Sequence, residues 1–291
     1  MPIARDGFQV SEQDTRRTVA RVGVAYRAPL AHWLDAGSPD IEYVEVNAED
    51  FYKGGRAKLE VLRWHAPLLV HTRRLSPGTP GPLDAHELAW FAALVQEAKP
   101  LWISEHLGFR CTPEIDLACV VPVPLTDETL DTFVSHVQDI VDACGTPLLF
   151  ENIASPLAIR GNLSEPEFLN RLCERAGCGV LLDLTALLVN GRNHRFEAAQ
   201  WVRALDLENV VQIHIGGCRE RDGHWEDTHD APIDEELWTL AEAVLARQSV
   251  RAIVLERDAR FPAVNEIALE LERLRMLSRR AHFASTRPSS H

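Results

Sequence analysis

Short apolar runs recur along the chain and are separated by segments with helical periodicity. The runs are nearly continuous rather than alternating, which is typical of strands that are covered on both faces. Eight strands are predicted, at residues 22–26, 41–46, 68–71, 101–105, 148–152, 179–184, 210–215 and 252–256. Strands that alternate with helices over this length predict an α/β fold, a parallel (β/α)8 TIM barrel. A doubly wound open sheet is the alternative, but no Gly-x-Gly-x-x-Gly turn follows any strand.

Capping residues predict where four of the helices begin. Asp84, Thr126, Ser164 and Asp234 each precede a helical segment, and Ser, Thr and Asp are preferred at that position. Pro166 stands in the first turn of the third helix, where its missing N–H group has no cost.

The length of the chain fits one barrel better than two small domains. The chain has 291 residues, of which 46% are hydrophobic, and this is enough for one large core. We expect residues 1–20 to form an N-terminal extension, residues 21–280 the catalytic barrel and residues 281–291 a disordered tail. Two long segments, 107–124 and 215–232, follow strands, so we expect both at the catalytic face, with a small hairpin in the first.

The composition indicates where the protein is located and which classes of partner are excluded. No apolar stretch approaches 18 residues and no signal pattern opens the chain, so we expect a cytoplasmic protein without a membrane span. The formal net charge is −13, which argues against nucleic acid as a partner because the phosphate backbone is negative. The six cysteines form no Cys-x-x-Cys pair, so we expect most to be small buried residues. Cys218 lies four residues after His214, one of the candidate metal ligands introduced below.

Most of the predicted strands end in a side chain that can bind a metal ion, and a loop supplies two more. The eight residues are His71, His106, Glu151, Asp183, His214, Asp227, His229 and Glu256. The carboxyl ends of parallel barrel strands meet at one rim, so we expect these four imidazoles and four carboxylates to converge. Nitrogen and oxygen donors without cysteine suit Fe, Mn or Zn. Eight ligands exceed the needs of one ion, so two or three ions bridged by carboxylates are expected.

The alternative for each residue alone is a structural role, as a hydrogen-bonded scaffold histidine or a helix cap. Eight polar and ionisable groups at one end of an apolar barrel would be costly if nothing compensated them. A cluster of metal ions compensates them, so the pattern as a whole favours a metal site.

Several short motifs together resemble the multinuclear non-heme iron-dependent oxidative enzymes. The motifs are Gly23-Val24-Ala25-Tyr26-Arg27, Val44-Glu45-Val46-Asn47, Ser104-Glu105-His106-Leu107, Glu151-Asn152-Ile153, Leu181-Leu182-Asp183, Asn193-His194, Ile213-His214-Ile215-Gly216-Gly217 and Asp227-Thr228-His229-Asp230. The resemblance runs from about residue 22 to residue 261. That family is similar in turn to xylose-isomerase-like and endonuclease IV-like barrels.

The resemblance implies an activity as well as a xylose-isomerase-like fold. Family members bind two or three irons, with mixed Fe(II) and Fe(III) expected, and use O2 as co-substrate. They oxidatively modify a cysteine in a ribosomally synthesised precursor peptide, usually with a small partner protein that captures the leader of the peptide. Known outcomes include oxazolone–thioamide formation in methanobactin synthesis and excision of the β-carbon of a C-terminal cysteine on the route to a thiaglutamate.

Carried over by motif, the iron ligands would be the eight residues named above. Glu105 and Asn152 are further candidates for metal binding or for support of the ligands; Glu105 could equally orient His106 or pair with Arg27. Arg27, Arg73 and Arg257 lie near strand ends and are candidates to bind a peptide carboxylate. The alternative for these arginines is ordinary surface or ion-pair duty.

The chain departs from the usual family pattern at four places. Leu184-Thr185-Ala186 stands where Val-Asn-Asn is common, Gly216-Gly217-Cys218 where Ala-Gly-His is common, Asn47 where a histidine is common, and Arg257 where a tryptophan is common. The missing amide and imidazole groups bring one metal position into question. They also indicate a subfamily with its own substrate or outcome.

Three other functions fit the same barrel. A metal-dependent sugar isomerase or epimerase would use Mn or Mg and would need no O2. An endonuclease IV-like phosphodiesterase would need a basic groove, which the negative charge argues against. A metal-storage or metal-chaperone role would need no reaction with O2.

Overall fold

Eight parallel strands close into a barrel in the computed structural model, which describes residues 19–35, 41–112, 114–159 and 161–286. In chain order the strands are β1 (Arg21–Ala25), β2 (Val44–Asn47), β3 (Leu68–Thr72), β4 (Ile103–His106), β5 (Phe109–Cys111), β6 (Asp116–Val121), β7 (Leu148–Glu151), β8 (Gly179–Asp183), β9 (Val210–Ile215), β10 (Arg219–Arg221), β11 (His224–Glu226) and β12 (Ala252–Leu255). The barrel order is β1-β2-β3-β4-β7-β8-β9-β12, and β12 pairs in parallel with β1. The predicted TIM barrel is confirmed, and the open-sheet alternative is wrong.

Helices surround the barrel in the order expected of strand–helix alternation. They are α1 (Ala31–Asp35), α2 (Ala57–His65), α3 (Ala85–Ala98), α4 (Asp127–Cys144), α5 (Glu165–Ala176), α6 (Leu184–His194), α7 (Ala198–Ala204), α8 (Glu235–Arg247) and α9 (Val264–Thr286). All four predicted capping residues accept a hydrogen bond from a backbone N–H in the first turn, as Ser164 does from Glu167. These caps fix where each chain segment turns from loop into helix.

The interior of the barrel changes from apolar to polar along its axis. Inward-facing residues of a strand are two positions apart. In four of the strands, an apolar inward-facing residue is followed by a polar one. Leu69, Leu149, Leu181 and Val254 belong to one buried cluster inside the barrel. The residues two positions later are His71, Glu151, Asp183 and Glu256. The two-residue period of the strands therefore places side chains that can bind a metal ion directly above a layer of apolar side chains.

Two hairpins rise from the carboxyl-terminal face. The predicted hairpin within residues 107–124 is confirmed as β5 and β6, and the segment 215–232 contains a second hairpin, β10 and β11. Ser76 fastens the first hairpin, because its hydroxyl accepts hydrogen bonds from the backbone N–H groups of Arg110 and Cys111. Both hairpins contribute to the walls of the cleft described below.

The ends of the chain differ in part from expectation. Residues 1–18 of the expected N-terminal extension lie outside the described residues. Helix α9 continues to Thr286, so residues 281–286 of the segment expected as a disordered tail are helical. The reason is that Ala281 is half-buried and packs against the core, which continues the apolar face of the helix. Residues 287–291 lie outside the described part of the chain.

Within the described ranges, no helix combines the length and the apolar character that crossing a bilayer requires.

The aromatic cluster between the barrel and its outer helices provides a test of the packing. Phe133 is fully buried and packs edge-on against Phe150 and Phe168, with ring centroids 5.3 and 5.7 Å apart. We expect Phe133→Ala to lower the free energy of unfolding by about 3–5 kcal/mol, because it removes buried surface and leaves a cavity. Urea unfolding followed by circular dichroism measures the change.

Trp64→Ala is the matched control, because the Trp64 side chain is 83% exposed and its removal is expected to change stability by less than about 0.5 kcal/mol. Equal effects of the two substitutions would contradict the packing described here.

Candidate metal centre

The structure brings all eight predicted ligand residues together at the carboxyl ends of the strands. They form three adjoining groups, each with ligand atoms within 4.8 Å of one another: His71, His106 and Glu151; then Glu151, Asp183, His214 and Glu256; then Asp183, Asp227 and His229. Glu151 and Asp183 each belong to two groups. Carboxylates that are shared in this way are able to bridge neighbouring ions.

The first group has the spacing of ligands around an ion. Glu151 Oε2 lies 3.5 Å from both His71 Nε2 and His106 Nε2. Ligand atoms that are each about 2.1 Å from an ion lie about 3.0–3.4 Å from one another, so these atoms need only small shifts. Glu151 Oε2 is buried and has no hydrogen-bond partner among the described residues. An orphaned buried carboxylate oxygen between two imidazoles fits a cation.

Neighbouring side chains fix the rings of this first group. Nδ1 of His71 shares a hydrogen bond of 2.9 Å with the Ser104 hydroxyl. Glu105 accepts hydrogen bonds from the backbone N–H groups of Leu75 and His106, and its Oε1 lies 3.5 Å from His106 Nδ1. Of the alternatives for Glu105, the structure therefore shows the contact with His106. Arg27 pairs with other carboxylates.

The middle group is centred on a fully buried histidine. His214 Nδ1 lies 2.9 Å from Glu151 Oε1 and 3.2 Å from Glu256 Oε2. Its other ring nitrogen, Nε2, lies 2.9 Å from Glu45 Oε1. A carboxylate behind a histidine sets which ring nitrogen faces the centre and how the ring is oriented.

Sequence reasoning missed Glu45. It stands in β2 between Val44 and Val46, and its side chain is fully buried. An acidic residue inside an otherwise apolar strand was the available signal, because a buried carboxylate needs a partner.

The third group combines a strand end with the loop after β11. His229 Nε2 lies 2.9 Å from Asp227 Oδ1 and 3.5 Å from Asp183 Oδ2. His229 has a positive φ of 46°, so the loop is held in a conformation that L-residues rarely adopt. A Cβ at Gly216 would lie 2.4 Å from His229 Cδ2. The lack of a side chain at Gly216 is therefore what lets the imidazole approach the centre.

Asp183 is held from both of its ends. Its Oδ1 accepts hydrogen bonds from Thr185 and Ala186 at the start of α6. The Asn152 amide bonds the backbone N–H and C=O groups of Asp183. Asn152 thus positions Asp183 and also lines the cleft. Ala186, one of the departures from the family pattern, lines the cleft as well and offers no ligand atom there.

Burial and neighbouring charges shift the pKa values of the ligand residues strongly. Burial opposes the charge of His106, yet the carboxylates of Glu105 and Glu151 raise its pKa to about 9. Burial would raise the pKa of Glu151, but three neighbouring imidazoles lower it to about 2. Burial, reinforced by the Asp227 charge, holds the pKa of Asp183 well above its ordinary value. The Glu151 carboxylate is therefore stabilised by protons on the neighbouring imidazoles, whereas Asp183 favours holding a proton itself. Metal ions compete with protons for these same positions.

The centre opens into a cleft of about 680 Å³. Arg27 and Arg73, two of the candidates for substrate contacts, line it. Arg27 already pairs with Glu256 and with Asp258, an acidic residue that the sequence did not single out. Arg73 has no ion-pair partner within the described ranges.

The prediction for Arg257 has to be corrected. Its side chain is buried, pairs with Glu270 on α9 and contacts the carbonyl of Ala231. It does not line the cleft. Consecutive residues at a strand end point to opposite sides, so the neighbour of inward-facing Glu256 faces the outer helices.

The cysteines divide evenly between buried and accessible positions. Cys144, Cys173 and Cys178 are buried, and the other three are not, so burial of most is not confirmed. Burial raises the pKa of the Cys218 thiol to about 11, and its sulfur accepts a 3.5 Å hydrogen bond from Arg192. Cys218 does not line the cleft, whereas exposed Cys119 on β6 does.

Comparison with known structures shows the fold. A D-psicose 3-epimerase from Clostridium cellulolyticum H10 superposes with a TM-score of 0.58 over 90% of this chain and 96% of that chain, at 13% identity. A xylose isomerase domain protein from Planctomyces limnophilus superposes with a TM-score of 0.58 over 91% of this chain and 99% of that chain, at 15% identity. The barrel is therefore xylose-isomerase-like.

Comparison of sequences shows the family. The chain is 33% identical over 255 residues to a UPF0276 protein of Rhizorhabdus wittichii, covering 86% of this chain and 92% of that protein. It is 35% identical over 254 residues to a UPF0276 protein of Chromobacterium violaceum, covering 85% and 91%. Residues 21–279 match the family model described as RiPP precursor modification enzyme MbnB/TglH/ChrH. The chain therefore belongs to this family of enzymes that modify ribosomally made precursor peptides.

Proposed function

We propose that this chain is an O2-dependent iron enzyme that oxidatively modifies a cysteine of its precursor peptide. The observation that carries the proposal is the shared, buried Glu151 carboxylate. It belongs to two adjoining groups, and one of its oxygens has no hydrogen-bond partner in the described part of the chain. Histidine and carboxylate donors suit iron. Oxidation by O2 needs a redox-active metal or an organic cofactor, because side chains alone do not supply this chemistry, and these donors suit a metal.

Each group would hold one ion. His71, His106 and Glu151 would bind the first; Glu151, Asp183, His214 and Glu256 the second; and Asp183, Asp227 and His229 the third. Bound iron would supply the electron-transfer chemistry. The protein would orient the ligands, through Ser104 and Glu105 at the first ion and Glu45 at the second. We propose two or three irons per chain, in mixed Fe(II) and Fe(III) states, because the three groups adjoin and share Glu151 and Asp183.

The cleft would bind the precursor peptide with its cysteine toward the centre. Arg73 lies at the wall of the cleft and has no ion-pair partner among the residues that the structure describes. A guanidinium binds a carboxylate in a bidentate manner. A C-terminal cysteine fits this arrangement, and excision of its β-carbon is the outcome that we propose. A small partner protein would hold the leader of the peptide.

The rival functions are supported only by similarity of the fold. The sugar epimerase and isomerase similarities are at 13% and 15% identity, and fold does not determine function. No feature of the centre specifically favours sugar or DNA chemistry over the modification of a peptide.

Metal content tests the proposed ligands. We expect wild-type protein from iron-rich cells to contain two or three irons per chain by elemental analysis. Glu151→Gln should lose at least one more ion than Asp227→Asn does, because Glu151 serves two groups and Asp227 one. Glu128→Gln, an exposed carboxylate on α4, is the control and should keep the wild-type content. Equal iron in all four proteins would contradict the ligand assignment.

The reaction itself is tested by mass spectrometry. Anaerobic protein loaded with Fe(II), its leader-binding partner and the precursor peptide should remain unchanged until O2 is added. A mass change located at the cysteine is then expected, and a peptide with Cys→Ser should not change. An unaltered cysteine peptide after exposure to O2, with partner and leader present, would exclude the proposed activity.

The proposed contact between Arg73 and the peptide carboxylate can be tested independently of metal binding. We expect Arg73→Ala to raise KM for a peptide with a free C-terminal carboxylate by about tenfold, because a charge-assisted hydrogen bond contributes about 1.5–3 kcal/mol. Amidation of the peptide should cause a similar loss in wild type and little further loss in Arg73→Ala. Additive losses would show that Arg73 does not contact the terminal carboxylate.

A further inference from the structure

The motif Asn193-His194 lies at the end of helix α6 and contains none of the proposed metal ligands. The Asn193 side-chain amide donates a hydrogen bond to the carbonyl oxygen of Trp225 at 2.8 Å and accepts one from its backbone N–H at 2.9 Å. His194 Nε2 donates to the carbonyl oxygen of Ser155 at 2.7 Å. Trp225 and Ser155 both line the cleft. The motif therefore attaches two segments of the cleft wall to one helix.

Helix α6 is a firm support for these contacts, because residues 184–191 are all buried. A helix that is buried on every side has little freedom to move. Its first turn is capped by Asp183, a residue of the third group. The Thr185 hydroxyl bonds the backbone N–H and C=O groups of Gly216, which makes room for His229. The start of α6 thus positions one side of the third group.

The end of α6 contacts the hairpin that leads to the other side of the group. Asp227 and His229 follow Trp225 by two and four positions. Besides the two hydrogen bonds of Asn193, the guanidinium carbon of Arg192 lies 3.9 Å from the centroid of the Trp225 ring. Arg192 is itself fixed by ion pairs of 2.6 and 3.3 Å with two acidic residues at the start of α8. Two consecutive residues of α6 therefore hold the backbone and the ring of one tryptophan.

The third group depends on this hairpin more than the other two groups do. Asp227 and His229 are the two proposed ligands that do not lie on or beside a strand of the barrel. Asp227 Oδ1 and His229 Nε2 lie 2.9 Å apart, and both are buried without a hydrogen-bond partner among the described residues. The far end of the loop has its own contact, because the Asp258 N–H donates to the His229 carbonyl at 2.9 Å. The near end, at Asp227, follows the position of Trp225.

We propose that Asn193 is a positioning residue for the third group, because its two hydrogen bonds to Trp225 keep Asp227 within reach of the same ion as Asp183. This inference rests on the metal ligands proposed above. Both polar atoms of the Asn193 amide bond the backbone of Trp225, so the side chain acts through the hairpin and not as a ligand. Loss of a contact that orients a ligand weakens metal binding by about 10–100-fold.

A matched control distinguishes this role from ordinary support of the fold. The Asn170 amide on α5 makes the same pair of hydrogen bonds, to the carbonyl oxygen of Ala204 at 3.0 Å and from the N–H of Asp206 at 2.9 Å. These residues precede β9, and none of them lines the cleft. Asn170→Ala therefore removes an equivalent pair of backbone contacts away from the metal centre.

Hydrogen–deuterium exchange of the metal-free protein, measured by mass spectrometry, tests the contact without any ion. In Asn193→Ala, the backbone amides of residues 219–229 should exchange at least about tenfold faster than in wild type, because two hydrogen bonds that hold the hairpin are lost. Asn170→Ala should leave the exchange of this segment unchanged. Wild-type exchange of residues 219–229 in Asn193→Ala would overturn the proposal. Asn193 is half-buried, so the variant should fold, and circular dichroism checks this.

Anaerobic titration with Fe(II), followed by elemental analysis, tests the consequence for the centre. At the iron concentration that just saturates wild type, Asn193→Ala should contain one iron fewer, because the third ion binds about 10–100-fold more weakly. Excess Fe(II) should restore that ion, since every ligand is still present, and Asn170→Ala should match wild type throughout. Iron lost from both variants alike, or from neither, would overturn the positioning role. Wild type that binds no iron would contradict the proposed ligands instead, and the exchange experiment then decides whether Asn193 holds the hairpin.

Discussion

The rest of the site depends on one constraint: a buried carboxylate, Glu151, must be neutralised inside the mouth of an apolar barrel. The parallel register sets up the problem, because it pairs Glu151 of β7 with His106 of β4 and Asp183 of β8 with His214 of β9. The strand period then turns all four side chains inward at one level. Charged groups at that depth are tolerated only when they are paired. Cations at the centre would satisfy this requirement.

Several residues that are not proposed as metal ligands contact the ligands and hold them in place. Glu45 contacts the back of His214, Glu105 that of His106, and Asn152 holds the backbone of Asp183. Gly216 makes room for His229. Such contacts limit the rotation of the ligands, so the geometry is set before any ion binds. The chemistry that we propose for this family member therefore depends on more of the barrel than the eight ligands.

The sequence predicted the barrel and the convergence of the ligands because both follow from periodicity. An apolar run that ends in a metal-competent residue defines a strand and its carboxyl end together. Glu45 was missed because its partner, His214, is distant in the chain and the contact exists only across the barrel. Arg257 was misplaced because proximity to a strand end does not say which side a residue faces.

Diffraction from crystals grown with iron, recorded on both sides of the iron absorption edge, tests the central claim most directly. The account predicts two or three anomalous iron peaks within bonding distance of the eight side chains, with one peak adjoining both Glu151 and His71. Iron bound elsewhere on the surface, or no iron peak beside Glu151 in protein that retains the metal, would contradict it.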